Sequence, residues 1–134
     1  MATLSARFIR ALRGLENDRD LQPLVQLFAE HCEITSPLFA NSMQDMEGAR
    51  RYWRKYLDNF EEVRTEFISV VDGNDISALE WISSATLSGG RPVEFSGATV
   101  LLSEENRITS LHAYFDSRSL RDEAQRGDPR FRAA

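Results

Sequence analysis

Four β-rich runs in the C-terminal half of the chain constrain its fold more than any other feature. They read VRTEFISVV, ISALEWISSATL, PVEFSGATVLL and RITSLHAYFD, and the short segments DGND, SGGR and SEEN separate them. Connections of this length and composition join the strands of β-hairpins. The sequence therefore predicts four antiparallel strands between Val63 and Ser117.

Three helices are predicted ahead of these strands. Apolar residues recur at helical spacing over 4–16, namely Leu4, Phe8, Leu12 and Leu15. A second helix is predicted over 20–30, because Asp20 can cap it and a first helical turn tolerates Pro23. The aromatic stretch MEGARRYWRKYLDNF predicts a third helix over 46–60, after a short strand in CEITSP. Helices followed by a run of strands favour the α+β class, with the helices on one face of a curved antiparallel sheet and a hollow between the two layers.

Length and composition indicate one globular domain over residues 1–120, followed by a charged C-terminal tail over 121–134. The chain has 134 residues and a formal net charge of −5, so nothing in its charge favours nucleic-acid binding. Its one cysteine, Cys32, excludes an internal disulfide and is interpreted as a small buried hydrophobe. No apolar run is long enough for a membrane span and no secretory signal is evident, so we expect a cytoplasmic protein.

No pattern for a metal or a cofactor appears in the sequence. The two histidines lack zinc-ligand spacing, and there is no glycine-rich phosphate loop and no nucleophile in a triad motif. We therefore expect no metal and no cofactor.

The last predicted strand places an imidazole, a phenol and a carboxylate in one row. Read with period two, His112, Tyr114 and Asp116 point to the same face of the sheet. His112 and Asp116 are four residues apart, roughly 13 Å along a strand, so they cannot form a bonded dyad. They can, however, act on two ends of one small molecule.

An estimate of strand register extends this polar face across the sheet. If SGGR is centred between Gly89 and Gly90, Ser96 faces Ser83 and Ala98 faces Trp81. Two arrangements are open: this face lines the hollow, or it meets solvent while the apolar face packs on the helices. In the first arrangement a second copy of the chain would cover the apolar face, which includes Phe95, Leu101 and Phe115.

The whole layout resembles the nuclear transport factor 2-like superfamily, and within it the SnoaL-like group of polyketide cyclases. The features that carry the resemblance are the element order, the glycine and aromatic helix of MEGARRYWRKYLDNF, and a last strand that ends in YFD. The group is related to limonene-epoxide-hydrolase-like and ketosteroid-isomerase-like proteins. The resemblance implies a cone whose mouth admits an apolar small molecule, and homodimers that pack sheet against sheet.

The resemblance assigns a catalytic role to Asp116, whereas the other catalytic residues of the related proteins are replaced in this sequence. The acid/base carboxylate of SnoaL-like cyclases matches Asp116. The epoxide hydrolases' arginine and aspartate fall on Trp81 and Ser83, and their water-holding tyrosine and asparagine on Glu33 and Thr35. The isomerases' two aspartates fall on Ser36 and Ala98. Neither of these two catalytic sets is therefore present.

These inferences predict a cofactor-independent acid/base enzyme, of cyclase or isomerase type, acting on an apolar carbonyl or ring compound. Asp116 is the predicted proton-transferring group, with His112 or Tyr114 as hydrogen-bond donors to the substrate. The predicted substrate-binding residues are Trp81, Ser83, Ser96, Ala98, Glu33, Trp53, Tyr56 and Phe60. The alternative is a ligand-binding or dimerisation module without chemistry, and an altered epoxide hydrolase is a third and weaker hypothesis.

Overall fold

The structure is a computed structural model that describes residues 3–120. The predicted C-terminal tail, 121–134, lies outside the described residues. No helix within 3–120 is long and apolar enough to cross a membrane.

Helix α1 spans Leu4–Asp18, two residues beyond the predicted end. Thr3 caps it, because the Thr3 Oγ1 accepts a hydrogen bond from the Ala6 amide at 3.1 Å. The helix ends at Arg19, whose left-handed conformation (φ 56°) lets its N–H reach the Leu15 carbonyl.

The predicted helix over 20–30 is wrong beyond its first turn. Helix α2 spans only Gln22–Val25, and strand β1 occupies Phe28–Thr35. Phe28 is fully buried and pairs with Ile108, so sheet pairing outweighs local helix propensity here. The two-residue strand β2, Met43–Gln44, pairs with β1 and leads into α3, Asp45–Asp58. The third helix is therefore close to its predicted position over 46–60.

The predicted four-strand meander is present. Its strands are β3 (Phe60–Gly73), β4 (Ile76–Leu87), β5 (Pro92–Glu104) and β6 (Arg107–Phe115), followed by one 3₁₀ turn at Ser117–Leu120. The six strands form one curved sheet in the order β2-β1-β6-β5-β4-β3. The predicted α+β class is confirmed. The sheet is mixed rather than wholly antiparallel, because β1 runs parallel to β6.

The register of β4 against β5 differs by one residue from the prediction, and this changes which residues share a face. Thr86 pairs with Pro92, so the loop is centred on Gly89 instead of between the two glycines. Ser96 therefore faces Ile82, and Ala98 faces Glu80. Since side chains alternate along a strand, this slip moves Trp81 and Ser83 to the other face of the sheet.

The apolar face of the sheet packs on the helices. Trp81, Phe95, Leu101 and Leu111 are buried on this inner face, and the α1 stripe and the α3 aromatics cover it. The predicted placement of Phe95 and Leu101 under a partner copy is wrong, because they lie inside the domain. Cys32 is buried in the same core, as predicted.

Candidate functional site

A cavity lies between the helices and the inner face of the sheet. Aromatic side chains form most of its wall: Phe8, Tyr52, Trp53, Tyr56, Phe60, Phe67, Trp81, Phe95 and Phe115. The cavity has a volume of about 40 Å³. That is room for roughly three water molecules.

The aromatic wall on the sheet side is a connected cluster. The rings of Trp81 and Phe95 meet edge to face at a centroid distance of 5.7 Å, and Trp81 lies 5.7 Å from Phe115. Phe60 stacks on Phe95 at 5.9 Å. These separations are in the favourable range for aromatic pairs, so the wall has a defined shape.

Hydroxyl groups supply the polarity of the cavity. Thr65 and Ser83, on neighbouring strands, are buried and hydrogen-bonded through their hydroxyls at 2.7 Å. Thr99 accepts a hydrogen bond from the Trp81 indole N–H at 2.9 Å. All of these polar side chains line the cavity.

The indole N–H of Trp53 differs from that of Trp81. It is buried and has no hydrogen-bond partner among residues 3–120. Trp53 is 4% exposed and belongs to the cavity wall. A buried donor without a partner is rare in folded proteins, and a bound water or ligand is one explanation for it.

Glu16, at the C-terminal end of α1, is the carboxylate that meets the hydroxyl groups of the cavity. Its Oε2 accepts hydrogen bonds from the Tyr56 hydroxyl at 2.8 Å and from the Thr65 hydroxyl at 2.7 Å. Its Oε1 accepts a bond from the Thr65 amide at 2.9 Å. Burial raises the pKa of Glu16 above its ordinary value of 4.5, and the bonds from Thr65 and Tyr56 oppose this only in part.

Two tyrosines of α3 are also strongly affected by their surroundings. Burial raises the pKa of Tyr52 to about 12, although a hydrogen bond with Ser36 lowers it in part. Burial and the nearby Glu16 carboxylate hold the pKa of Tyr56 well above 10. Both phenols are therefore neutral donors over the physiological range.

Five of the predicted substrate-binding residues lie in the cavity wall. Trp53, Tyr56 and Phe60 come from α3 and the start of β3, while Trp81 and Ser83 come from β4. The helical spacing of the α3 aromatics places them on the side of the helix that faces the cavity. Trp81 and Ser83 lie in the wall together with Phe95 and Phe115, because the register of β4 against β5 differs by one residue from the predicted register.

The three predicted catalytic residues lie outside this cavity. His112 and Tyr114 are on the outer face of the sheet, where their rings are 6.4 Å apart, and Tyr114 is 58% exposed. Asp116 follows the last strand, and both of its carboxylate oxygens accept hydrogen bonds from the Arg118 guanidinium. Its Oδ1 also accepts from the Arg118 amide at 3.0 Å. The polar row is therefore the outer face of the sheet, and Asp116 terminates a strand.

Three predicted substrate-binding residues also lie outside the cavity. Ser96 and Ala98 share the outer face with Tyr114, since Ala98 pairs directly with Tyr114. Glu33 pairs with Ser110 on that face, and its carboxylate lies 3.5 Å from the Gln44 amide nitrogen. Ser96 and Ala98 were expected in the site because the predicted register gave them the face of Trp81, and Glu33 was expected there from the first strand; the structure places all three on the outer face.

Sequence reasoning missed Glu16 and Thr65. Glu16 lies four residues after Leu12 and eight after Phe8, so helical spacing places it on the buried stripe of α1. Thr65 lies between Val63 and Phe67 in the alternating pattern of β3. The signal that could have identified these two residues was a polar side chain at a position that each pattern reserves for an apolar one. Among residues 3–120, no group of three or more His, Cys, Asp or Glu is placed to hold a metal ion.

Comparison with known families agrees with this architecture. The family model for the SnoaL-like domain matches residues 6–111. The chain belongs to the SnoaL-like domain family. No curated protein matches the chain significantly.

Solved structures share the fold of this SnoaL-like domain at low sequence identity. A putative isomerase from Rhodopseudomonas palustris has a TM-score of 0.77 and 24% identity, over 90% of this chain and 94% of that one. A ketosteroid isomerase-like protein from Catenulispora acidiphila, solved with trimethylamine, has a TM-score of 0.76 and 18% identity, over 89% and 91%. A putative hydroxylase from Streptomyces galilaeus has a TM-score of 0.70 and 18% identity, over 87% and 75%. The chain therefore has the nuclear transport factor 2-like fold, as the resemblance implied.

Proposed function

We propose that this SnoaL-like domain binds a small, largely apolar, ring-bearing compound that carries a hydrogen-bond-accepting group such as a carbonyl. The observation that carries the proposal is the buried indole N–H of Trp53, a residue of the aromatic cavity wall, which has no hydrogen-bond partner among residues 3–120. An unmet buried donor costs about 1–3 kcal/mol, which an acceptor on the ligand would recover. The rings of the wall supply the contact area for the rest of the compound.

The size of the cavity adds a condition to the proposal. An apolar cavity of about 150 Å³ holds benzene, and the present space is smaller. Ring binding therefore requires part of the wall to move. Leu38 and Leu120 are the partly buried members of the wall that lie outside the regular helices and strands, so we expect them to give way first.

Acetophenone and ethylbenzene are suitable test probes, because they share a ring and a short side chain and differ in the carbonyl. We expect acetophenone to bind more tightly and to shift the Trp53 indole N–H resonance in ¹H–¹⁵N NMR spectra. In Trp53→Phe the preference for acetophenone should fall by about five- to tenfold, because one hydrogen bond is lost.

The same change at the second tryptophan is a matched control. The Trp81 indole already donates to Thr99, so Trp81→Phe should keep the preference for acetophenone. Equal binding of the two probes to the parent protein, or no binding of either, contradicts the proposal.

An acid/base reaction centred on Asp116 is not part of this proposal. Asp116, His112 and Tyr114 do not line the cavity, whereas Tyr56, Thr65 and Ser83 do. This favours the ligand-binding alternative over the predicted enzyme. If the bound compound reacts, the carboxyl group connected to it through hydroxyls is that of Glu16.

We further propose that the domain forms a homodimer through the outer face of the sheet. Large apolar side chains are exposed on this face at Val71, Ile76, Leu102 and Tyr114, with exposed fractions between 41% and 67%. Register places Ile76 directly beside Leu102. Exposed apolar groups that cluster in this way are typical of protein interfaces.

A further inference from the structure

Glu16 lies between the surface and the cavity. It lines an outer depression beside the start of β3 and the hairpin end of β5. The hydroxyl-bearing residues it contacts, Tyr56 and Thr65, line the inner cavity, and Thr65 contacts Ser83 there. A continuous set of hydrogen bonds therefore runs from a partly buried carboxyl group beside the surface to the cavity wall.

The direction of these bonds is fixed when Glu16 is ionised. A carboxylate only accepts, so the Tyr56 and Thr65 hydroxyls both donate their single protons to it. The bond between Thr65 and Ser83 must then be donated by Ser83. With that proton used, the Ser83 hydroxyl can offer the cavity only its lone pairs.

Protonation of Glu16 reverses one of the two hydrogen bonds that its Oε2 makes with the Thr65 and Tyr56 hydroxyls. Its Oε1 accepts from the Thr65 amide, so the added proton lies on Oε2, next to the two hydroxyls. If Oε2 donates to Thr65, the Thr65 proton turns to Ser83 and the Ser83 proton becomes free for the cavity. If it donates to Tyr56, the Tyr56 proton becomes free. In both cases the cavity gains one O–H donor.

We propose that the protonation state of Glu16 sets whether this wall of the cavity presents a hydrogen-bond donor or an acceptor, so that a carbonyl compound binds together with a proton. The inference rests on the proposed ligand-binding function and defines the regulation of the same site. A compound with only an acceptor is then favoured at low pH. A compound with a hydroxyl group can both donate and accept, so it fits either state.

The surroundings of Glu16 place the switch at a higher pH than an ordinary glutamate would. Burial raises the pKa of Glu16, and the hydrogen bonds together with Arg13 of the same helix lower it in part. Tyr56 faces it from α3 and is neutral, because its pKa lies well above 10. The charged groups that line the outer depression with Glu16 are Arg19, Glu61, Glu62 and Arg64.

The sign of the pH dependence follows from linkage. An acceptor-only ligand prefers the protonated site, so its affinity is highest below the pKa of Glu16 and falls as the pH rises through it. For one proton the fall is at most about tenfold per pH unit. By reciprocity the ligand raises the pKa of Glu16.

The experiment compares the dissociation constants of acetophenone and 1-phenylethanol between about pH 4 and 8, a range that begins near the ordinary carboxyl pKa and extends above it. In the parent protein the affinity for acetophenone should fall with rising pH, while that for 1-phenylethanol should stay nearly level. In Glu16→Gln both should be level, and acetophenone should bind at least as tightly as in the parent at low pH. The glutamine amide nitrogen takes the place of Oε2; it donates to the Tyr56 and Thr65 hydroxyls and accepts from neither, so it frees O–H donors for the cavity at every pH.

Asp72 provides a matched control. Its carboxylate also accepts two serine hydroxyl bonds, from Ser5 at 3.0 Å and Ser77 at 2.7 Å, but it does not line the cavity. Asp72→Asn should retain the pH dependence of the parent protein.

A second measurement needs no variant and so does not depend on the folding of Glu16→Gln. The ¹³C resonance of the Glu16 carboxyl group should titrate at a higher pH with acetophenone bound than without it. Acetophenone binding with the same affinity at every pH overturns this inference and leaves the proposed binding function intact. The absence of acetophenone binding at any pH overturns both.

Discussion

At the scale of the residue, buried phenols make the stability of the domain sensitive to alkaline pH. Tyr52 is 3% exposed and its pKa is about 12, so it stays neutral in the folded state while the unfolded chain ionises near 10. The stabilisation is complete below pH 10 and is lost as the pH rises through 12. We expect the free energy of unfolding to fall by up to about 1.4 kcal/mol per pH unit over that interval from Tyr52 alone. Urea unfolding of the parent and of Tyr52→Phe checks this, and equal slopes in the two proteins would refute it.

The burial of individual residues was predictable from sequence where the spacing of apolar residues decided it. It was not predictable where a polar side chain occupied an apolar position of the pattern. The spacing of Trp53, Tyr56 and Phe60 predicted a buried face of α3, and these residues line the cavity. Glu16 follows the same spacing in α1, but a carboxylate near a helix end is ordinarily solvated. Its burial depends on hydrogen bonds from Tyr56 and Thr65, which are 40 and 49 residues away in sequence. No local pattern predicts these bonds.

At the scale of the element, Gly97 permits the aromatic wall to close. It pairs with Trp81 on one side and Phe115 on the other, and the rings of those two residues meet beside it. A Cβ at Gly97 would lie 2.1 Å from the Tyr114 carbonyl oxygen and 2.8 Å from the Phe115 Cβ, so backbone must shift to admit it. We expect Gly97→Ala to lower the free energy of unfolding by about 1–3 kcal/mol. Gly89→Ala, where no atom lies within 4 Å, should change it by less than about 0.5 kcal/mol. A Gly97→Ala as stable as Gly89→Ala in urea unfolding would disprove this account.

Most helices and strands were predictable because each has its own period and its own turn residues; the exception is the second helix, which is one turn followed by β1. The face to which each strand residue points was not predictable, because one residue more or less in a hairpin loop reverses it. SGGR predicted a turn, yet centring it on Gly89 instead of one half-residue later transferred Trp81 and Ser83 from the polar face to the cavity. For β5 and β6, a turn centred near Glu105 predicts that Tyr114 faces Ser96. In the structure the turn is centred half a residue later and a bulge between Leu102 and Ser103 adds a second shift, so Tyr114 faces Ala98. An even shift preserves the face, so His112 and Tyr114 stayed together on the outer side.

At the scale of the whole molecule, the proposed homodimer depends on the outer face of the sheet. The helices cover only the inner face, and the surplus apolar surface lies at Val71, Ile76, Leu102 and Tyr114 instead of at the buried Phe95. We expect light scattering at micromolar concentration to give twice the chain mass of 15.3 kDa. Leu102→Glu places a charge beside Ile76 among the exposed apolar residues of this face, where its desolvation would oppose association, and should yield the monomer. Val70→Glu is the control: Val70 is 38% exposed but pairs with the buried Leu79 on the helix side, so this variant should remain a dimer. A parent protein of 15.3 kDa, or a dimer that only Val70→Glu dissociates, would contradict assembly through the outer face.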